Sequence, residues 1–246
     1  MDKMLYIAMS GAKQTTLAQA INTNNLANVS TAGFKADLAQ FRAMPVFGAG
    51  MPTRVYAMAE RPGVDMNTGA LTTTGNELDV AVRGEGWLAV QTADGGEAYT
   101  RAGDLRLDSA GMLVTGAGHP VLGNGGPIAL PPFEKLEIGT DGTLSIRPVG
   151  QAPNVLAEVD RIKLVNPPAG DLTKGQDGLV RRMDGTIEPP DAQVQLISGA
   201  LEGSNVSAVE AMVNMISLSR QYEAQLKMME TAKDNDAASD QLLRMA

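Results

Sequence analysis

Two stretches of the chain repeat their apolar positions every three or four residues, and the long stretch between them repeats every second residue or not at all. In the first, residues 1–30, Leu5, Ala8, Met9, Ala12, Thr16 and Thr23 recur at about 100° per residue and share a face, with Leu17 and Ile21 beside it. The spacing predicts a helix whose apolar surface is broad but shallow, because Ala, Ser, Gly and Thr dominate it. Asn24, Asn25 and Asn28 then favour caps and turns over helix interior. In the last stretch, residues 204–246, Ser207 and Glu210 have the spacing of a capping box. Met212, Met215, Ser219, Tyr222, Leu226 and Met229 follow at alternating steps of three and four, the a/d seam of a coiled coil. Arg220, Glu223, Lys227 and Glu230 occupy the opposite face. Lys227 follows Glu223 by four, the favourable order for a surface pair.

Between the helices the texture changes twice. Residues 31–75 carry scattered Gly33, Pro45, Gly48, Gly50, Pro52, Pro62 and Gly63 and no long apolar run, which reads as an extended connector with one or two strands. From residue 76 the period is two. Leu78, Val80 and Val82 alternate with Asp79, Ala81 and Arg83, and Leu105 and Leu107 alternate with Arg106 and Asp108. A short continuous apolar run, "WLAV", lies at 87–90, and the strand-like segments "MLV" (112–114), "LEI" (136–138), "LSI" (144–146) and "RIKLV" (161–165) follow. Turn signals at Asp94-Gly95, Ser109-Ala110-Gly111, Asp141-Gly142 and Asp184-Gly185 separate them, the signature of an antiparallel β domain. The expected class is α+β: a central antiparallel β domain at 76–203, an assembly helix at 1–30, the connector at 31–75 and a second assembly helix at 204–246. The two helices are expected to pair as a coiled-coil-like layer. A pair alone lacks a third wall, so the remaining apolar stripe calls for neighbouring subunits.

Three separated motifs resemble the flagellar rod and hook family of bacterial axial proteins: "NNLANVSTAGFK" (24–35), "ELDVAVRGEGWLAVQTADGGEAYTRAGDLRLDSAGMLVTGAGHPVLG" (77–123) and "GALEGSNVSAVEAMVNMISLSRQYEAQLKMM" (199–229). The resemblance implies a structural subunit of the flagellar basal-body rod in its proximal part, with the distal part as the alternative, spanning the periplasm and transmitting torque. It implies a helical tube with paired terminal helices inside and the β domain outside. Its partners would be copies of itself, the other proximal and distal rod proteins and the flagellar type III export apparatus. Together with the heptad pattern it assigns assembly to Leu5, Met9, Ala12, Asn24, Asn25, Leu26, Ala27, Asn28, Gly33, Phe34, Leu201, Glu202, Ser204, Asn205, Val206, Met212, Met215, Tyr222, Leu226 and Met229. The polar stretch after the first helix is then the exit from an inner helical layer to an outer β layer.

Composition narrows the remaining classes. A net charge of -8 disfavours a phosphate-backbone partner, so no nucleic acid is expected. The chain has no cysteine, which removes disulfides, thiol nucleophiles and Cys-ligated metals. After Asp2 and Lys3 no secretory-type apolar run follows, and no stretch reaches the length of a membrane helix. Export without a cleaved signal peptide, and no membrane insertion, are expected. His119 stands alone in a "GAGHPVLG" loop and cannot make the usual zinc sites. Asp104 and Asp108 flank an alternating strand, where turn and solvated-face roles dominate. "GNGGP" (123–127) and "RGEGW" (83–87) lack the context of a phosphate cradle, and Ser198-Gly199 and Ser204 lack that of a nucleophile elbow. No catalytic residue, cofactor or metal is expected. A secreted β-rich binding module with a helical stem, or a hydrolase without a visible site, are the competing readings.

Overall fold

The computed structural model describes residues 4–45, 47, 55–150 and 156–245. Asp2 and Lys3, and Gly48, Gly50 and Pro52 of the connector, lie outside them. The chain forms two compact units. One comprises Met1–Ala27, Asp37–Gly63 and Val206–Ala246, and the other Asn28–Ala36 and Val64–Asn205. The chain therefore crosses between them at 27/28, 36/37, 63/64 and 205/206.

The first unit holds helix α1 (Met4–Ala27), a two-stranded sheet of β1 (Asp37–Pro45) and β2 (Val55–Val64), and helix α2 (Ala208–Met245). Ser207 opens α2 as its N-cap, its hydroxyl oxygen accepting from the Glu210 N–H at 3.4 Å. The helices run antiparallel, since Asn22 Nδ2 donates to Ala211 O at 2.7 Å while Gly11 faces Gln225. A Cβ on Gly11 would lie 2.8 Å from Gln225 Cδ, so the backbones meet through small residues. On α1 the buried residues are Ala8, Gly11, Ala12, Thr15 and Ala18. On α2 the sheltered row is Ala211, Met215, Leu218, Tyr222, Gln225, Met229 and Ala232, again at steps of three and four.

This row corrects the expected seam. Met215, Tyr222 and Met229 belong to it, whereas Met212 and Leu226 are 53% and 45% exposed. On α1 Ala8 and Ala12 are inside, while Leu5, Met9 and Thr16 are exposed. The reason is steric. On α1 the buried positions are Ala, Gly and Thr, which let α2 approach closely, so the bulkier Leu5 and Met9 stand outside that contact.

The second unit is antiparallel β throughout its named pairings. Its strands are β3 (Leu71–Thr73), β4 (Val80–Arg83), β5 (Trp87–Gln91), β6 (Glu97–Thr100), β7 (Leu105–Leu107) and β8 (Leu113–Thr115). Then come β9 (Phe133–Ile138), β10 (Thr143–Pro148), β11 (Ala157–Arg161), β12 (Leu164–Val165) and β13 (Leu172–Lys174). The last are β14 (Val180–Arg182), β15 (Gln195–Ser198) and β16 (Ala200–Glu202). A five-stranded sheet has the order β12-β5-β6-β14-β13, a three-stranded one β11-β10-β9, and β15-β4, β16-β3 and β7-β8 form pairs.

The core explains the continuous "WLAV" run. Leu88 and Val90 join one buried cluster with Val80, Leu136, Leu144 and Ile162, while Trp87 and Ala89 join a second with Tyr99, Val165 and Val180. Strand β5 is thus covered on both faces, and alternation disappears. The same holds for β4, where Ala81 is as buried as Val80 and Val82.

Candidate functional site

The three sequence motifs meet within the β unit, at a cluster of buried charge. Glu202, at the end of β16, is 0% exposed. Its Oε1 accepts from Lys35 Nζ at 2.7 Å and from the Gly69 N–H at 3.0 Å, and its Oε2 accepts from Arg101 Nη1 at 2.9 Å. Lys35 also donates to Asn67 O at 2.7 Å, and Arg101 Nη2 donates to Gly84 O at 2.8 Å. Lys174 donates to Lys35 O at 2.7 Å with its ammonium 3.8 Å from the Phe34 ring centroid. The Arg101 guanidinium lies 5.3 Å from the Trp87 ring centroid. Burial draws the Lys35 ammonium below its ordinary value, against the pull of Glu202. A buried carboxylate with two cations and an amide satisfies the rule that buried charge must be paired.

Glycines admit this packing. Gly33 has φ +66°, and a Cβ there would stand 2.2 Å from Arg101 C and Ala102 N. A Cβ on Gly69 would stand 2.0 Å from Gly203 O. Only a residue without a side chain fits at either place.

Asn205 gathers the backbone beside the cluster. Its Oδ1 accepts from the Ala36 N–H at 2.8 Å, and its Nδ2 donates to Asp65 O at 2.8 Å and Asn67 O at 3.2 Å. Its own N–H donates to Phe34 O at 3.3 Å, and the Gly33 N–H donates to Glu202 O at 2.8 Å. Asn28 starts the turn after α1, its carbonyl accepting from the Thr31 N–H at 3.2 Å. Within the helical unit Asn25 does a similar service. Its side chain accepts from the Asp37 N–H at 2.9 Å and donates to Asp37 O at 2.8 Å, fixing the start of β1.

The residues assigned to assembly therefore fall into two groups. Gly33, Phe34, Glu202 and Asn205 take part in the buried cluster, with Leu201 and Ser204 beside them and Asn28 in the preceding turn. Leu5, Met9, Met212 and Leu226 are exposed on the helical unit, Ala12, Met215, Tyr222 and Met229 face the helix contact, and Asn24, Leu26 and Ala27 end α1. Val206 is where the chain re-enters the helical unit. Sequence reasoning did not single out Lys35, Arg101 or Lys174. The first two sit inside the quoted motifs, and only the fold shows that they share one buried carboxylate.

The outer face of the helical unit is apolar. Val209, Met212, Val213 and Ile216 on α2, and Leu5, Tyr6 and Met9 on α1, are all more than a third exposed. A shallow cavity of about 410 Å³ lies among Val213, Ile216, Ser217, Arg220, Gln221 and Ala224.

The candidate chemical residues take ordinary places. His119 closes the turn after β8, its N–H donating to Thr115 Oγ1 at 3.2 Å. Asp108 Oδ1 accepts from the N–H groups of Ala110 and Met112, occupied with its own turn. The Gly123 N–H donates to Gly126 O at 2.7 Å, a tight turn. Among the described residues no group of three His, Asp or Glu side chains is placed to hold a metal ion, and no helix is long and apolar enough to cross a membrane.

Comparison with known proteins covers each of these regions. Residues 5–35 match the family described as flagella basal body rod protein. Residues 81–146 match the flagellar hook protein FlgE/F/G D1 domain, and 197–242 match the flagellar basal body rod FlgEFG protein C-terminal region. Over 252 residues, 100% of both chains, the sequence is 44% identical to the flagellar basal-body rod protein FlgF of Escherichia coli (strain K12). It is 34% identical to the protein of that name in Caulobacter vibrioides, over 98% of both chains. It is 32% identical to the flagellar basal-body rod protein FlgG of Bacillus subtilis (strain 168), over 95% of this chain and 96% of that one.

Proposed function

This chain belongs to the family of flagellar basal-body rod proteins, and on that footing we propose that it is a structural subunit of the proximal rod, built into the assembly through its two long helices. One observation carries the reading: the helical unit keeps large apolar side chains on its outside, Tyr6 at 58% and Met9 at 55% exposed, while the buried positions of α1 hold only Ala, Gly and Thr. An isolated helix pair gains nothing by that arrangement. A pair surrounded by others gains the burial of the outer row, at roughly 25 cal/mol per Å² of apolar surface covered. In this reading the occupants of the outer face are further copies of the chain and the other rod proteins, and the role is mechanical rather than catalytic. The relation to proteins named FlgF, at 44% identity, supports the proximal subtype over the distal one, since the FlgG relative is 32% identical. Passage through the flagellum's own export apparatus into the periplasm accords with the same reading.

The test is location. Basal bodies purified from cells carrying an epitope-tagged chain should contain it in the rod, below the segment labelled by an antibody to the distal rod protein. Tag found only in the free periplasmic fraction, or along the distal segment, contradicts the assignment.

A further inference from the structure

We propose that Glu202 and Asn205 form a mechanical clamp in the β unit, which takes up tension entering at residues 28 and 205 before it reaches the sheets. The segments 33–36 and 202–205 run in the same direction, because Gly33 bonds to Glu202, and Phe34 and Ala36 both bond to Asn205. Helix α1 is joined ahead of the first segment and helix α2 behind the second. Tension between those two junctions pulls the parallel segments from opposite ends. Their bonds are then loaded in shear, all together, and do not unzip one at a time.

Chemistry makes this contact stiff. The Glu202 carboxylate ties Lys35 on the first segment to Arg101 of the sheet region and to Gly69, so one buried side chain joins three stretches of backbone. Charge-assisted bonds are about twice as strong as neutral ones, and here water is excluded from replacing them as they stretch. The close approaches at Gly33 and Gly69 leave no slack. Residues 37–201 lie in the loop that the clamp closes, so the β core carries no load until the clamp fails. The use of the clamp in a rod rests on the reading above, while the clamp itself is a property of the single chain.

The chain has no cysteine, so Ala27→Cys and Ser207→Cys, at two exposed positions, give unique handles for optical-tweezer pulling of the full chain, in a background of Asn22→Ala that removes the bond from α1 to Ala211 O which these handles also load. Glu202→Gln and Asn205→Ala should each shorten the lifetime of the first rupture at fixed force about tenfold or more. Leu144→Ala, in the centre of the core, should lower the thermal midpoint but leave that first lifetime within about twofold, because the core is loaded only afterwards. If Glu202→Gln shows no folding transition, Asn205→Ala decides alone. A first rupture unaltered in the clamp variants, or shortened as much by Leu144→Ala, overturns the proposal. Because the measurement uses one chain, its failure leaves the rod assignment standing, and a tag absent from basal bodies leaves the clamp untouched.

Discussion

Aspartate at Leu226 separates assembly from folding. Leu226 lies outside the row of α2 that faces α1 and is 45% exposed in the single chain. Full burial of a leucine is worth roughly 1.5–3 kcal/mol, so covering the exposed remainder in an assembled contact contributes about 1 kcal/mol. Leu226→Asp forfeits that and adds the cost of drawing an unpaired carboxylate out of water, of order several kcal/mol. A total of about 4 kcal/mol per contact is about a thousandfold in affinity. In the free chain the same carboxylate stays hydrated, and the loss is only the helix-propensity difference of about 0.5 kcal/mol. Ala211→Asp is the contrast, since Ala211 is buried against α1 and its carbonyl holds Asn22. Circular dichroism of the purified chains should show the 24- and 38-residue helices intact in Leu226→Asp and melted earlier in Ala211→Asp. Basal bodies from cells expressing only Leu226→Asp should lack the subunit, and the cells should not swim. Glu223→Gln, on the exposed face, should be incorporated normally. Normal incorporation of Leu226→Asp, or helix loss equal to that of Ala211→Asp, refutes the idea that the outer row is the assembly contact.

Three further outcomes are expected. Gly33→Ala places a methyl group 2.2 Å from the Arg101–Ala102 backbone at a φ of +66°. Strain and overpacking together should destabilise the β unit by on the order of 3 kcal/mol, lowering its melting temperature by about 10 °C; a shift below a degree or two would mean the turn can move aside. Amides of α1, whose buried side chains are only Ala, Gly and Thr, should exchange at least about 100-fold faster than those of β5 and β10, and equal protection would show that the helix pair is as stable as the β core. The Arg182 fork, with the Thr186 N–H and hydroxyl, holds the Asp184 carboxyl at about 2, below the usual carboxylate range. A carboxyl depressed in the folded state adds stability above its unfolded value, near 4, and that contribution is lost as pH falls toward 2. The thermal midpoints of the native chain and Asp184→Asn should therefore converge between pH 4 and pH 2, and curves that stay parallel would contradict this.

How much of this is legible in the sequence differs from element to element. The β unit is legible because alternation and Asp-Gly turns are local: Asp94-Gly95 joins β5 to β6, and Asp141-Gly142 joins β9 to β10, each glycine at positive φ. The helices are legible as helices, but their inner faces are not. A pattern of bulky apolar residues picks out Met212 and Leu226, whereas the actual contact uses Ala211, Gln225 and Ala232, which a hydrophobicity criterion passes over. The connector holds three strands: β1 and β2 pair with each other, the start of β1 held by Asn25, a side chain that alone reads as a cap, and β3 pairs with β16. The ionic cluster is the least legible part. Lys35 and Arg101 stand 167 and 101 positions from Glu202 along the chain, and only the folded β unit brings each within hydrogen-bond distance of it.

The reach of Asn205 has a consequence for how such a chain can change over time. This one residue touches the backbone at Ala36 and Asp65 with its side chain and at Phe34 with its own N–H, so the points where the β unit begins, is interrupted and ends are gathered in one place. A segment whose ends are held together can be lengthened, shortened or exchanged without altering the distance it spans in its host. In chain order the β unit is set between α1 and α2, and β1 and β2 form a further excursion between residues 36 and 64. Variation in size can therefore accumulate between residues 37 and 63, or in the surface turns of 70–200, while the terminal helices keep their spacing. What such a lineage cannot easily exchange is the small set of residues at the seam of the β unit, Gly33, Lys35, Gly69, Arg101, Glu202 and Asn205.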